Sequence, residues 1–207
     1  MARIKNGLIS GKIGEVVHYQ VKGKQFLRKR PQREAPPTEG ELHGQDLLKV
    51  VNSWVKPLLE FVRIGFRGYN ERYEGWNAAV SVVHREALQR DGDTYWVDPA
   101  KARVSHGSLP LAKNLQAQLQ PGGRVDFSWD PSGVSGCSPR DRVMLLAYNV
   151  EEHWPAFELS GPKRHEGLAW LPLSGNVPGT YHLYAAFVSE DGEEQSESRY
   201  LGVVEIA

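Results

Sequence analysis

The chain has 207 residues, with 25 Lys+Arg against 25 Asp+Glu, 40% hydrophobic and 24% charged residues, the make-up of a soluble globular protein rather than a disordered one. Its single cysteine, Cys137, excludes an intramolecular disulfide, and no zinc-type Cys/His spacing occurs, so the fold must rest on packing. Two small domains are expected rather than one large one.

The zero net charge conceals a division along the chain. Residues 1–33 hold nine Lys/Arg against the one acid Glu15, or +8, which leaves −8 for the remainder. Such asymmetry points to an anionic partner or to self-association of a basic end with an acidic body. After Arg3 and Lys5 only Leu8-Ile9 precede Ser10-Gly11-Lys12, short of the roughly 7–15 apolar residues of a secretory signal. No later run approaches the ~18 apolar residues of a membrane span. A cytoplasmic address is the default, with signal-independent release to the exterior as the other route.

In chain order, Ile13, Val17 and Tyr19 alternate with Gly14, His18 and Gln20, and Gln25-Phe26-Leu27-Arg28 follows a Lys22-Gly23 turn signal. A β-hairpin is expected over about 14–30 with its tip near Gly23. Gly7, Gly11 and Gly14 ahead of it imply bulges or a flexible arm. Pro31 and Glu34-Ala35-Pro36-Pro37 form an extended linker. Thr38 and Glu41 have the spacing of a capping box at the head of a helix that carries Leu42, Leu47, Val51, Trp54, Val55, Leu58 and Val62. Pro57 is expected to divide this helix, as a kink or as a first-turn residue of a second helix ending near Phe66. A third helix is expected from Trp76 or Asn77 to Leu88, ended by Asp91-Gly92-Asp93, and helices two and three can pair as a hairpin.

From Thr94 onward short alternating runs predict strands at 95–97, 101–105, 115–119, 124–129, 142–149, 156–159, 168–173, 181–189 and 196–204, with punctuation at Pro121-Gly122-Gly123, Pro131-Ser132-Gly133, Pro178-Gly179 and Asp191-Gly192. Their number and spacing suggest a disulfide-free sandwich of immunoglobulin or fibronectin type III character, with Trp129, Leu146, Tyr148, Trp170, Tyr181, Tyr184 and Phe187 in its core. The fold class is therefore α+β, mainly β: a basic arm (1–33), a linker and helical segment (34–93) and an Ig-like sandwich (94–207).

No nucleophile-elbow, zincin, P-loop, dinucleotide or EF-hand pattern occurs, and the seven His residues are scattered, so the chain reads as a non-enzyme with no cofactor, metal or evident small-molecule substrate. Cys137 reads as an inert loop residue. His84 and Glu86 stand two apart, a spacing that does not align on a helix, and Glu190-Asp191-Gly192-Glu193-Glu194 reads as a solvated turn rather than a calcium loop. The Trp residues read mostly as core, with Trp154 the one expected to be exposed.

The basic arm rises above this background. Three readings stand open for it: assembly by strand addition to a neighbouring copy, an edge hairpin protected by its charges, and salt-sensitive nucleic-acid binding. Assembly leads, as a homo-oligomeric filament, appendage or shell, with Ile13, Val17, Tyr19 and Phe26 as subunit-interface candidates. Lys12, Lys22, Lys24, Arg28, Lys29, Arg30 and Arg33 are the candidates for an anionic partner. An adhesion or carbohydrate-binding module built on the sandwich loops and Trp154 is a further, weaker alternative.

The run from Gly11 to Pro31, of the form G-K-x-G-x-V-V-x-Y-x-x-x-G-K-x-x-x-R-x-x-P, with Pro37-Thr38, Trp76-Asn77-Ala78-Ala79-Val80 and the closing Asp191-Gly192 to Tyr200, resembles a widespread group of uncharacterised bacterial proteins known only as a domain of unknown function. Trp76 stands where that group usually has Phe. The resemblance implies the same order of basic N-terminal strands, helical middle and C-terminal sandwich, and it brings no activity or catalytic residue.

Overall fold

The structure is a computed structural model that describes residues 3–5, 8–21, 24–30, 35–70, 72–132, 135–173, 175 and 177–206. The expected turn at Lys22-Gly23, and Gly7, Pro31, Arg33, Glu34 and Gly133, lie outside the described residues. The chain forms two compact units, residues 1–42 and 43–207, and contains more strand than helix.

The first unit is a four-stranded antiparallel meander of β1 (Arg3–Lys5), β2 (Leu8–Ile13), β3 (Val16–Val21) and β4 (Lys24–Lys29), paired in that order. The expected hairpin is β3–β4; β1 and β2 extend it on the β3 side. Gly14, at φ +58°, begins the two-residue connection between the paired Ile13 and Val16, a left-handed conformation that costs glycine nothing and a branched residue a good deal. The capping box at the head of α1 (Glu39–Val55) is formed: Thr38 N–H donates to Glu41 Oε2 at 2.8 Å, and Glu41 N–H donates to Thr38 Oγ1 at 3.4 Å.

In the second unit α1 runs into a single 3-10 turn at Lys56–Leu58 that holds Pro57, and then into α2 (Leu59–Gly65). Proline lacks the N–H an uninterrupted helix would use there, and the tighter turn absorbs the defect. α3 (Gly75–Glu86) packs against α2. It stops earlier than the sequence suggests, because Leu88–Asp91 is a strand, β5, paired with β6 (Thr94–Val97). The Asp91-Gly92-Asp93 signal thus turns a hairpin rather than ending a helix.

The remaining strands are β7 (Lys113–Gln120), β8 (Arg124–Asp130), β9 (Arg142–Asn149), β10 (Trp154–Glu158), β11 (Leu168–Pro172), β12 (Gly179–Val188) and β13 (Arg199–Ile206). They form two sheets, ordered β10-β9-β12-β13 and β11-β8-β7. One face of β9 and β12, with Val143, Leu145, Tyr181, Leu183 and Phe187, meets Val125, Phe127 and Trp129 of β8 and Ala169 and Leu171 of β11. Their other face, with Met144, Leu146, Tyr148, Tyr184 and Ala186, is covered by Val51, Trp54, Phe61, Val62, Phe66, Ala79, Val82 and Val83 of the helices. Helices, four-stranded sheet and three-stranded sheet are therefore three successive layers, which is why 143–148 and 183–188 are almost unbroken apolar runs rather than alternating ones.

Two expectations are overturned. Residues 101–105 are not a strand: the N–H groups of Val104 and Ser105 donate instead to Ser198 Oγ at 2.9 and 3.3 Å, so side-chain capping replaces a sheet ladder. Trp170 is not core. Ala169 and Leu171 point inward along β11, and the two-residue period turns Trp170 outward, 57% exposed.

Candidate functional site

The N-terminal sheet differs from the rest of the molecule in burial. None of the described residues from Ile9 to Arg30 is buried, although Ile13, Tyr19, Val21, Phe26 and Leu27 are large and apolar. Among the described residues β4 pairs with β3 on one side and with no strand on the other, and all six of its residues are exposed.

Cross-strand register sorts the site residues onto two faces, because directly opposed residues in an antiparallel pair share a face. Lys12 opposes Val17, Val17 opposes Arg28, Tyr19 opposes Phe26, and Val21 opposes Lys24. Lys12, Val17, Tyr19, Lys24, Phe26 and Arg28 therefore lie together. The rings of Tyr19 and Phe26 stack at 5.6 Å with 22° between planes, and the Arg28 guanidinium lies over the Tyr19 ring at 5.6 Å. The opposite face carries Ile13 opposed to Val16, Val16 to Lys29, and His18 to Leu27. Ile13 is thus separated from the three other interface candidates, and Lys29 from the other strand cations. Arg30 follows β4, its N–H donating to Glu15 O at 2.6 Å. Lys22 and Arg33 lie outside the described residues.

The motifs weighed elsewhere in the chain are engaged structurally. Glu86 meets Arg85 at 2.7 Å and Arg103 at 3.0 Å, while His84 is exposed on α3. In the 190–194 turn, Asp191 accepts from Ser189 Oγ at 2.6 Å and from Glu193 N–H at 3.1 Å, contacts that hold its carboxyl below the usual carboxylate range. Cys137 is half-buried, and Trp154 is 48% exposed on β10. Burial pushes the Tyr148 and Tyr184 hydroxyls up, so they act as neutral donors, to Trp54 O at 3.1 Å and Pro99 O at 2.7 Å.

Sequence reasoning missed two cavities in the second unit. A polar one of about 420 Å3 is lined by Arg67, Tyr69, His106, Glu193, Glu194 and Gln195 among others. An apolar groove of about 440 Å3 is lined by Val50, Trp54, Tyr95, Trp96, Val150 and His153 among others. The adjacent Tyr95-Trp96 pair was the one signal for the groove, since neighbours on a strand cannot both face one core. The two-faced division of the basic arm was also missed: Val16-Val17 and Phe26-Leu27 are adjacent apolar pairs, so no alternation marks it and only the cross-strand register does.

Residues 8–202 match a family of unknown function (DUF6266). No curated protein matches the chain.

Proposed function

The chain belongs to this family of unknown function, DUF6266, and from that premise we propose that it is a non-enzymatic, self-assembling structural subunit whose N-terminal sheet docks on a second copy by strand addition. The observation that carries this reading is the lack of any buried residue among those described from Ile9 to Arg30. A small sheet gains stability by covering an apolar face, and this one leaves Ile13 and Leu27 45% and 60% exposed. The open side of β4 offers main-chain donors and acceptors to an added strand, and Ile13, Val16 and Leu27 offer an apolar face beside it. The +8 of residues 1–33 against −8 elsewhere favours head-to-body association, which propagates when it does not close into a ring.

The sheet orders of the second unit support reading its seven long strands as an immunoglobulin- or fibronectin type III-like sandwich that carries the helices on one outer face. No helix among the described residues is long and apolar enough to cross a membrane. Light scattering of the full-length protein over a concentration series is expected to give masses above the 23.2 kDa of one chain, and negative-stain images to show ordered polymers. Ile13→Asp with Leu27→Asp is expected to return the protein to a single-chain mass. A 23.2 kDa particle at every concentration would sink the assembly reading.

A further inference from the structure

We infer that the Tyr19–Phe26 face of the N-terminal sheet binds single-stranded nucleic acid. This goes beyond assembly, which uses the open side of β4 and the opposite face.

Three features converge on that face. Tyr19 and Phe26 are 37% and 43% exposed and already stacked on each other, so they present aromatic area without a further ordering cost. Lys12, Lys24 and Arg28 surround the pair by register, and Arg28 lies on the Tyr19 ring. No Asp or Glu occurs in β2, β3 or β4; Glu15 sits in the turn between β2 and β3. A polymer with a phosphate for every flat base, each base with a π-face that can stack, complements this arrangement, with cations on the backbone and bases on the rings. Paired bases are already stacked within a duplex and cannot meet the rings, so the face selects single strands over duplexes. Nothing in it reads base edges, so the binding is tolerant of sequence.

The test is fluorescence anisotropy with full-length protein and a labelled oligothymidylate of about 15 nucleotides. Tight binding is expected at about 50 mM salt, falling with a log–log slope of about −2 as salt rises, since three cations each release roughly 0.7 of a counterion. Tyr19→Ala with Phe26→Ala is expected to weaken binding at least about tenfold, and Lys24→Gln to reduce the salt slope by about 0.7. On the unaltered protein, an abasic oligonucleotide of the same length and the corresponding duplex are expected to bind at least about tenfold more weakly. Equal affinity for the abasic strand would overturn the inference and leave a simple anion exchanger. Absence of binding at low salt would overturn it as well. Neither result touches the light-scattering outcome, so this inference and the assembly reading fail separately.

Discussion

At the scale of single residues, the second unit buries an ion pair. Arg164 and Asp141 are each 2% exposed with Nε and Oδ2 3.3 Å apart, and Arg164 Nη2 donates to Pro110 O at 2.7 Å. The same guanidinium lies 4.0 Å from the Phe187 ring centroid, and Trp129 Nε1 donates to Arg164 O at 2.6 Å. Arg164→Ala would leave Asp141 buried without its counter-ion, an arrangement that typically costs about 3–5 kcal/mol; urea denaturation is expected to show a loss of that size. The paired change Arg164→Met with Asp141→Leu is expected to recover most of it, because two apolar groups of similar volume avoid the desolvation penalty. His182 provides a pH signature. Burial lowers its pKa from 6.5, against an opposing pull from Asp98, and its Nδ1 lies 3.0 Å from the Tyr200 hydroxyl. The unfolded chain therefore takes up this proton first, so its contribution to stability is full above about pH 6.5 and is lost as pH falls through the lower folded value. Urea midpoints at pH 7.5 and 5 are expected to differ less in His182→Gln than in the unaltered protein.

At the scale of elements, local chemistry accounts for what was legible in the sequence. The box at Thr38 and Glu41 located the start of α1 to within a residue. Thr38→Ala is expected to remove about 1 kcal/mol of that helix's stability, seen as fraying of its first turn in hydrogen exchange. β5 was not legible because Leu88 continues the apolar spacing of α3 while Gln89, Arg90 and Asp91 carry no strand pattern, and only pairing with Thr94–Val97 makes the segment a strand. The failure at 101–105 has a similar origin. Alternation alone suggests a strand there, but the N–H groups of Val104 and Ser105 are taken by Ser198 Oγ, from the far end of the chain. Gly65 and Gly107 stand where backbones approach closely nearby. A Cβ on Gly107 would sit 2.1 Å from Gln195 O, and one on Gly65 2.5 Å from Val104 O. Gly107→Ala is accordingly expected to lower stability by about 1–3 kcal/mol in the same urea assay, since the obstruction is main chain rather than a movable side chain.

At the scale of the whole molecule, the charge division becomes a prediction about association. If the +8 segment of one copy meets the −8 remainder of another, added salt screens the attraction over about 10 Å at 0.1 M and about 3 Å at 1 M. The light-scattering mass is expected to fall as salt rises over that range. An unchanged mass would assign the association to main-chain pairing and apolar contact instead. The sequence by itself determined the basic arm, the helices, most of the later strands and the solvent-facing Trp154, because charge, period and turn chemistry are written within a few neighbouring residues. Tertiary structure alone decided that β9 and β12 are covered on both faces, that Trp170 points outward, that Arg164 is buried, and that Ile13 stands apart from Tyr19 and Phe26. The contacts behind such outcomes join residues far apart in the chain: the Tyr148 hydroxyl reaches Trp54 O, and Ser105 Oγ reaches Ser196 O, across separations of 94 and 91 positions. A local pattern states that a residue is apolar or alternating, and only the layer brought against it decides which side is covered.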